Sequence, residues 1–461
     1  MTRSTAIEKA THYFEAGQFV QNLAELISHQ TESQNPTKAA ELQRYLMEAI
    51  VPHFQDLGFT CEIHSNPIES AGPILVAERI EDEALPTILS YGHGDVIMAQ
   101  TDAWRDGLHP FRLVEEGDRL YGRGTADNKG QHLINIMALK SVLEVRGALG
   151  FNCRTIIEMG EEIGSLGLKE FCATHKDALA ADVFIASDGP RLQSVMPTMF
   201  MGARGCLSFD LVVSLRESAH HSGNWGGVLA DPAIILAHAL STITDTRGQI
   251  QIAEWCPNSL TDDIREALRD LPIDDETGPA VDVNWGEENL TAAERLFGWN
   301  SFTILAMHSG VPQAPINAIS ARAVAVCQLR FVVGTNQADI LPALRRHLDT
   351  NGFEGVKIIP HDRGFFDATR LQPNHPWVKF VARSLQETSG KVPHVLPNLA
   401  GSLPNEVFAN TLNLPTIWIP HSYRACSQHA PNEHLLCPVA RDALRIMAGL
   451  FWDIGAGNAP Q

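Results

Sequence analysis

Apolar positions along the chain fall into two alternating rhythms. Residues 6–30 place Phe14, Phe19, Leu23 and Leu26 on one helical face, and residues 39–57 form a second amphipathic helix that ends near Gly58. Short apolar runs follow at Thr60–His64, Ile74–Arg79 and 86–93, the last a buried strand that ends on a histidine. A helix is predicted over Lys129–Arg146, a strand over 151–158 and another over 181–186. Helices that alternate with apolar strands predict an α/β layer sandwich.

The pattern changes near Met201. Strands are predicted at 205–215, 301–307, 322–333 and 356–360, with helices over Pro232–Ile243 and 341–350. Residues 244–300 between them are acidic, rich in loops and helical in parts. After Phe365 the first rhythm returns: helix Pro376–Ser389, an extended piece at 394–397, a small-residue turn at 400–406, a strand at 414–419 and a closing helix at 439–452. The order predicts a two-domain α/β protein. A discontinuous α/β/α sandwich is built from residues 1–201 and 369–461, and a smaller α+β domain, 202–368, is inserted into it. A chain of 461 residues also exceeds the size at which a single core keeps growing.

Candidate chemistry collects at the predicted strand ends. In His93-Gly94-Asp95 the two side chains lie on one side of an extended chain, so one can ligate a metal while the other orients it. Gly122-Arg123-Gly124-Thr125-Ala126-Asp127-Asn128-Lys129-Gly130 is a glycine-rich turn before a helix, but it matches neither phosphate-loop pattern. Asp127 reads either as a helix cap or as a carboxylate that bridges two ions through its two oxygens. Gly124 and Gly130 would then permit the close backbone approach. Glu161 and Glu162 follow the 151–158 strand, and in extended chain they would face opposite ways, one toward a metal and one toward a bound water. Asp188 reads as a turn cap before Pro190 or as a ligand. Three carboxylate sites so placed suit a metal centre at the carboxyl edge of an α/β sheet.

Charge and composition exclude other classes. A net charge of −19 argues against binding nucleic acid. No apolar run reaches the ~18 residues of a membrane span, and no apolar signal core follows Met1, so a cytoplasmic protein without membrane association is expected. The eight cysteines form no C-x-x-C pair and read as reduced small hydrophobes.

In their order and spacing, His93-Gly94-Asp95, Asp127-Asn128-Lys129-Gly130, Glu161-Glu162, Asp188 and Gln428-His429-Ala430-Pro431-Asn432-Glu433 together resemble the M20 family of metallopeptidases and amidohydrolases. Within it, His221-Ser222-Gly223-Asn224-Trp225-Gly226-Gly227, Gly401-Ser402-Leu403-Pro404 and Glu161-Glu162-Ile163-Gly164-Ser165 are similar to motifs of the carnosinase-like dipeptidase branch. The chain departs from that branch at Ile97-Met98, where relatives usually carry proline.

The resemblance implies a catalytic sandwich, a lid and dimerisation domain, and two divalent metal ions, zinc first, with manganese or cobalt as alternatives. His93 and Asp188 would hold one ion and Glu162 and His429 the other. Asp127 would bridge them, with a cis bond to Asn128. His434 competes with His429, which better fits the family's His-x-x-[Asp/Asn]-Glu arrangement. Glu161 would be the general base and Asp95 the companion of His93. His221 would contact the oxyanion in trans, from the second subunit of a homodimer. Arg330, Asn317, Gly401 and Ser402 would bind substrate. The implied reaction is hydrolysis of the amide bond of a dipeptide or small peptide. Hydrolysis of an N-acyl or N-carbamoyl amino acid is the alternative. A catalytically silent binding protein is a third reading, against which the complete ligand set and Glu161 argue.

Overall fold

An eight-stranded mixed sheet forms the centre of the larger unit, in a computed structural model that describes residues 2–273, 279–361 and 366–460. Residues 274–278 of the acidic stretch, and 362–365 at the point where the first rhythm was expected to return, lie outside the described residues. The strand order is Thr60–His64, Ile74–Arg79, Asn152–Glu158, Thr87–His93, Val183–Ala186, Thr416–Trp418, Thr198–Phe200 and His394–Leu396. Thr87–His93 runs parallel to Asn152–Glu158 and to Val183–Ala186, and Thr416–Trp418 runs parallel to Val183–Ala186. These strands therefore deliver their carboxyl ends to one edge.

Their sequences are apolar on both faces because both faces are covered. Ile88, Val183, Ile185 and Ile417 pack with helices Arg3–Glu15, Lys129–Arg146, Pro376–Ser389 and Cys437–Asp453. Leu89, Tyr91, Phe184, Ala186 and Trp418 pack on the opposite side with helix Leu168–Thr174 and with Val407 and Phe408. There the Phe184 ring stacks on Phe408 at 4.1 Å and meets Trp418 edge-on at 4.9 Å. This is the expected α/β/α sandwich.

Two N-terminal details differ from the reading of the sequence. Residues 6–30 form two helices, Arg3–Glu15 and Gln18–Ser28, because Gly17 takes φ 77°, in the left-handed region that glycine occupies without steric cost. The 39–57 helix is continuous but widens to a π-turn at Tyr45–Ile50, just ahead of Pro52, which has no N–H to continue the regular ladder.

The inserted lobe carries a four-stranded antiparallel sheet, ordered Ser301–Ser309, Arg322–Phe331, Gly205–Ser214 and Lys357–Pro360. Helices Pro232–Ile243 and Ile340–Thr350 supply Leu236, Ile243, Leu344 and Leu348 to its core. The chain crosses between the two units twice, and the crossings are hydrogen-bonded to each other. Leu371 N–H donates to Met201 O at 2.8 Å, Thr369 N–H to Ala203 O at 3.0 Å, and Cys206 N–H to Phe366 O at 3.0 Å. All eight cysteines are free thiols, as expected. Among the described residues, no helix is long and apolar enough to cross a membrane.

Phe184→Ala removes a fully buried ring from the aromatic cluster. It is expected to lower the unfolding free energy by about 3–5 kcal/mol, read from the urea midpoint at constant slope. A shift under about 1 kcal/mol would mean that Phe408 and Trp418 close over the space.

Candidate metal centre

Parallel strands and one helix start bring the centre together. His93 ends its strand, Glu161 and Glu162 follow Asn152–Glu158, and Asp188 lies just beyond Val183–Ala186. His429 stands in the loop after Thr416–Trp418, and Asp127 in the turn before Lys129–Arg146. Asp127 divides its carboxylate between two histidines: Oδ1 lies 3.0 Å from His93 Nε2 and Oδ2 lies 2.9 Å from His429 Nε2. Asp188 Oδ2 is 3.6 Å from His93 Nε2, and Glu162 Oε2 is 3.1 Å from His429 Nε2. Two groups result, His93–Asp127–Asp188 and Asp127–Glu162–His429, each with its donor atoms within 4.8 Å of one another.

Glu161 and Glu162 do not sit in extended chain, contrary to the alternation expected of them. They open a 3₁₀ turn, Glu161–Ile163. Asp95 fixes this turn: Oδ1 accepts the Glu161 N–H and Oδ2 the Glu162 N–H, both at 3.1 Å. His93 Nδ1 lies 3.1 Å from Asp95 O, so one residue orients both the histidine and the glutamate pair. Glu161 Oε2 then falls 4.0 Å from His93 Nε2, while Glu162 faces His429.

The electrostatics call for cations. Burial pushes Glu162 up to about 7 and Asp188 to about 6, and the nearby Asp127 charge adds to both. Burial, with the charges of Glu162, Asp188 and Asp127, also raises Glu161 well above the usual carboxylate range. Asp127 resists its own burial, because hydrogen bonds from His429 and His93 hold it far below that range. Those bonds in turn raise His429 to about 11. The four carboxylates cannot all ionise side by side in a dry site unless positive charge joins them. Asp188 Oδ2 is buried and has no hydrogen-bond partner, which leaves a lone pair aimed into the cluster. Imidazole and carboxylate donors suit zinc, manganese or cobalt.

The turn carrying Asp127 is anchored from the far end of the chain. Glu433 Oε1 accepts the N–H groups of Ala126 at 2.9 Å and Asp127 at 3.0 Å, and Oε2 pairs with buried Arg123 at 2.7 Å. The Asp127–Asn128 peptide is cis, as the resemblance implied. Gly130 is required, since a Cβ there would stand 2.1 Å from Thr125 O. Gln428 Nε2 donates to Asp127 Oδ2 at 2.6 Å. His434 bonds Tyr423 Oη at 2.6 Å and lies 3.0 Å from Asn432 O, so His429 is the histidine beside Asp127 and Glu162.

A cavity of about 310 Å³ opens beside the cluster, lined by Asp127, Glu161, Asp188 and His429 together with Gly401 and Ser402. Arg330 Nη1 donates to Ser402 Oγ at 3.0 Å, which brings Arg330 and Ser402 into contact. His221 and Asn317 are elsewhere. They share an exposed hairpin, where Ser222 N–H donates to Asn317 O at 2.9 Å, and neither lines this cavity.

Several supporting residues escaped the sequence reading. Glu433 and Lys129 lie inside motifs that were recognised, but a motif does not say that Glu433 binds amides. Nor does it say that buried Lys129 donates to Leu26 O and His29 O at 3.0 and 2.8 Å. Gln428 stands next to His429. Glu158, pushed up to about 7 by burial, accepts hydrogen bonds from Tyr91 Oη at 2.6 Å and Ser165 Oγ at 2.9 Å, behind the Glu161–Glu162 turn.

The profile of peptidase family M20/M25/M40 matches residues 89–453. The chain belongs to this family. Among curated M20-type relatives it is 34% identical over 267 residues to the Beta-Ala-His dipeptidase of Mus musculus, a stretch covering 54% of this chain and 53% of the mouse protein. It is 27% identical over 400 residues to the cysteinylglycine-S-conjugate dipeptidase of Corynebacterium striatum, covering 83% of each. An M20 family metallo-carboxypeptidase from Sulfolobus solfataricus superposes with a TM-score of 0.80 at 25% identity, covering 95% of this chain and 99% of the other. Human carnosine dipeptidase 1 shares the fold, with a TM-score of 0.77 at 22% identity over 98% of this chain and 100% of the human one.

Glu433→Ala strands buried Arg123 and leaves the Ala126 and Asp127 amides unmet. It is expected to cost about 3–5 kcal/mol in urea unfolding and to lower the zinc content of the purified protein. A variant with wild-type stability and zinc content would show that the Asp127 turn holds itself.

Proposed function

We propose that this M20 protein is a dinuclear metallo-dipeptidase. The observation that carries the reading is Asp127, which offers one oxygen to each of two histidine–carboxylate groups while Glu161 lines the adjoining cavity. The dipeptidases among the relatives support it. Two divalent ions bound there, zinc first and manganese or cobalt next, would polarise the scissile carbonyl and make a water more acidic. Glu161 takes the proton of that water and returns it to the leaving amine. Asp95 keeps His93 and the Glu161 backbone in register for this transfer. Arg330, steadied against Ser402 near Gly401, clamps the substrate carboxylate through its two-pronged guanidinium.

The lobe formed by residues 202–368 acts as lid and dimerisation unit. His221 and Asn317 serve the cavity of a second copy, where His221 donates to the developing oxyanion. Two features support this. The hairpin carrying both residues is exposed and apart from its own cavity. The strand Ser301–Ser309 also borders its sheet with Ile304, Leu305 and Met307 exposed, an edge open to pairing with another chain. The free thiols support a reducing, cytoplasmic setting.

Zinc- or manganese-loaded protein is expected to hydrolyse a dipeptide panel faster than N-acetyl or N-carbamoyl amino acids. The reverse order would assign it to the amidohydrolases, and no turnover on either would indicate a silent binding member. Glu161→Gln is expected to lower kcat by at least about a hundredfold with both metals retained, the scale of a lost general base.

Sedimentation is expected to show a dimer. Mixing inactive His221→Ala with inactive Glu161→Gln subunits should recover activity, because one site in each mixed dimer keeps both groups. Failure to recover, or a fully active monomer, would defeat the trans assignment.

A further inference from the structure

One end of the cavity takes no part in the chemistry above. Away from the carboxylate cluster its wall is Leu192, Phe297, Leu396, Leu399 and Leu403, with Pro190 between them and Asp188. The wall is assembled from distant stretches. Leu192 follows Asp188, Phe297 ends the helix Ala292–Phe297 in the acidic stretch, and the other leucines flank Gly401 and Ser402. Leu192, Phe297, Leu396 and Leu403 are buried in one cluster with Phe184, Phe200 and Trp418, and Leu399 packs against it. The wall is thus continuous with the core and cannot easily give way.

Leu399 holds the middle. Its methyl groups lie 3.5 Å from where a Cβ would stand on Gly189 or on Gly401. It therefore spans from the loop after Asp188 to the loop that bears Ser402. Beyond the cluster, the charged lining residue among the described ones is Arg424, which donates to Ile273 O at 2.8 Å. Ser402 is engaged with Arg330 and with Arg204 O. A charged side chain laid on this wall would lose water and find no opposite charge, whereas an apolar one would gain from the same desolvation.

We propose that this wall recognises one side chain of the substrate, and that it selects dipeptides with a bulky aliphatic or aromatic residue over those with a small or acidic one. The proposal rests on the dipeptidase reading. It goes further by naming a substrate class and the specificity-determining residues Leu399 and Phe297.

The test is kcat/KM on the metal-loaded enzyme for Gly-Gly, Leu-Gly, Gly-Leu, Phe-Gly, Gly-Phe, Asp-Gly and Gly-Asp. At one of the two positions, leucine or phenylalanine is expected to exceed glycine and aspartate by at least about tenfold, the scale of a filled apolar pocket. Leu399→Ala is expected to reduce the leucine-to-glycine ratio at that position about tenfold, and Leu399→Met to restore most of it. Turnover of the panel with ratios within about twofold, or with aspartate preferred, would overturn the proposal and leave the dipeptidase reading intact. No turnover of any dipeptide would overturn both. The wild-type ratios decide the matter even where a variant fails to fold.

Discussion

The centre depends on where the Asp127 carboxylate is held. Its oxygens lie about 3 Å from histidines that arrive from opposite ends of the chain, His93 and His429. Buried this deeply, a carboxylate tends to become neutral, and only the two histidines keep it ionised. Its neighbours Glu162 and Asp188 have less help and rise toward neutrality. The site is therefore a concentrated demand for positive charge. The protein meets the backbone part of that demand with Glu433, Arg123 and the N–H groups of the turn, and leaves the rest to metal.

Support for the site is layered. Asp95 binds the backbone of Glu161 and Glu162, Glu158 and Ser165 sit behind that turn, and Lys129 ties the helix below it to the carbonyls of Leu26 and His29. None of these groups reaches the cavity. Each makes a reactive side chain less free to choose another position, which is how a hydrolase keeps its proton carrier within reach of water without spending flexibility on it.

Much of this was legible in the residues. Thr60–His64, Lys129–Arg146 and Pro376–Ser389 end where their apolar spacing ends, so their boundaries could be read directly. His93, Asp127, Glu162, Asp188 and His429 were named because strand ends of a parallel sheet converge on one edge. Other features were hidden because they depend on distant partners. Glu433 meets Asp127 across 306 positions, and no local pattern encodes that pairing. The 3₁₀ turn at Glu161 was misread because strand periodicity was extended past Gly160, where Asp95 instead takes over the backbone. The break at Gly17 was missed because the apolar spacing runs through it.

The paired crossings between the two units have a mechanical consequence. Joined by backbone hydrogen bonds, they form a two-stranded ribbon, which flexes across its face more readily than it shears. Motion of the inserted lobe is then close to a rotation about one axis. Arg330 lies beside that axis, opposite Cys206 at the root of Gly205–Ser214. His221 lies beyond the far end of the same strand, about 30 Å along it at ordinary strand rise. A small rotation therefore barely disturbs the carboxylate clamp while it swings His221 through several ångströms. The lobe acts as a lever whose fulcrum holds the substrate and whose tip travels.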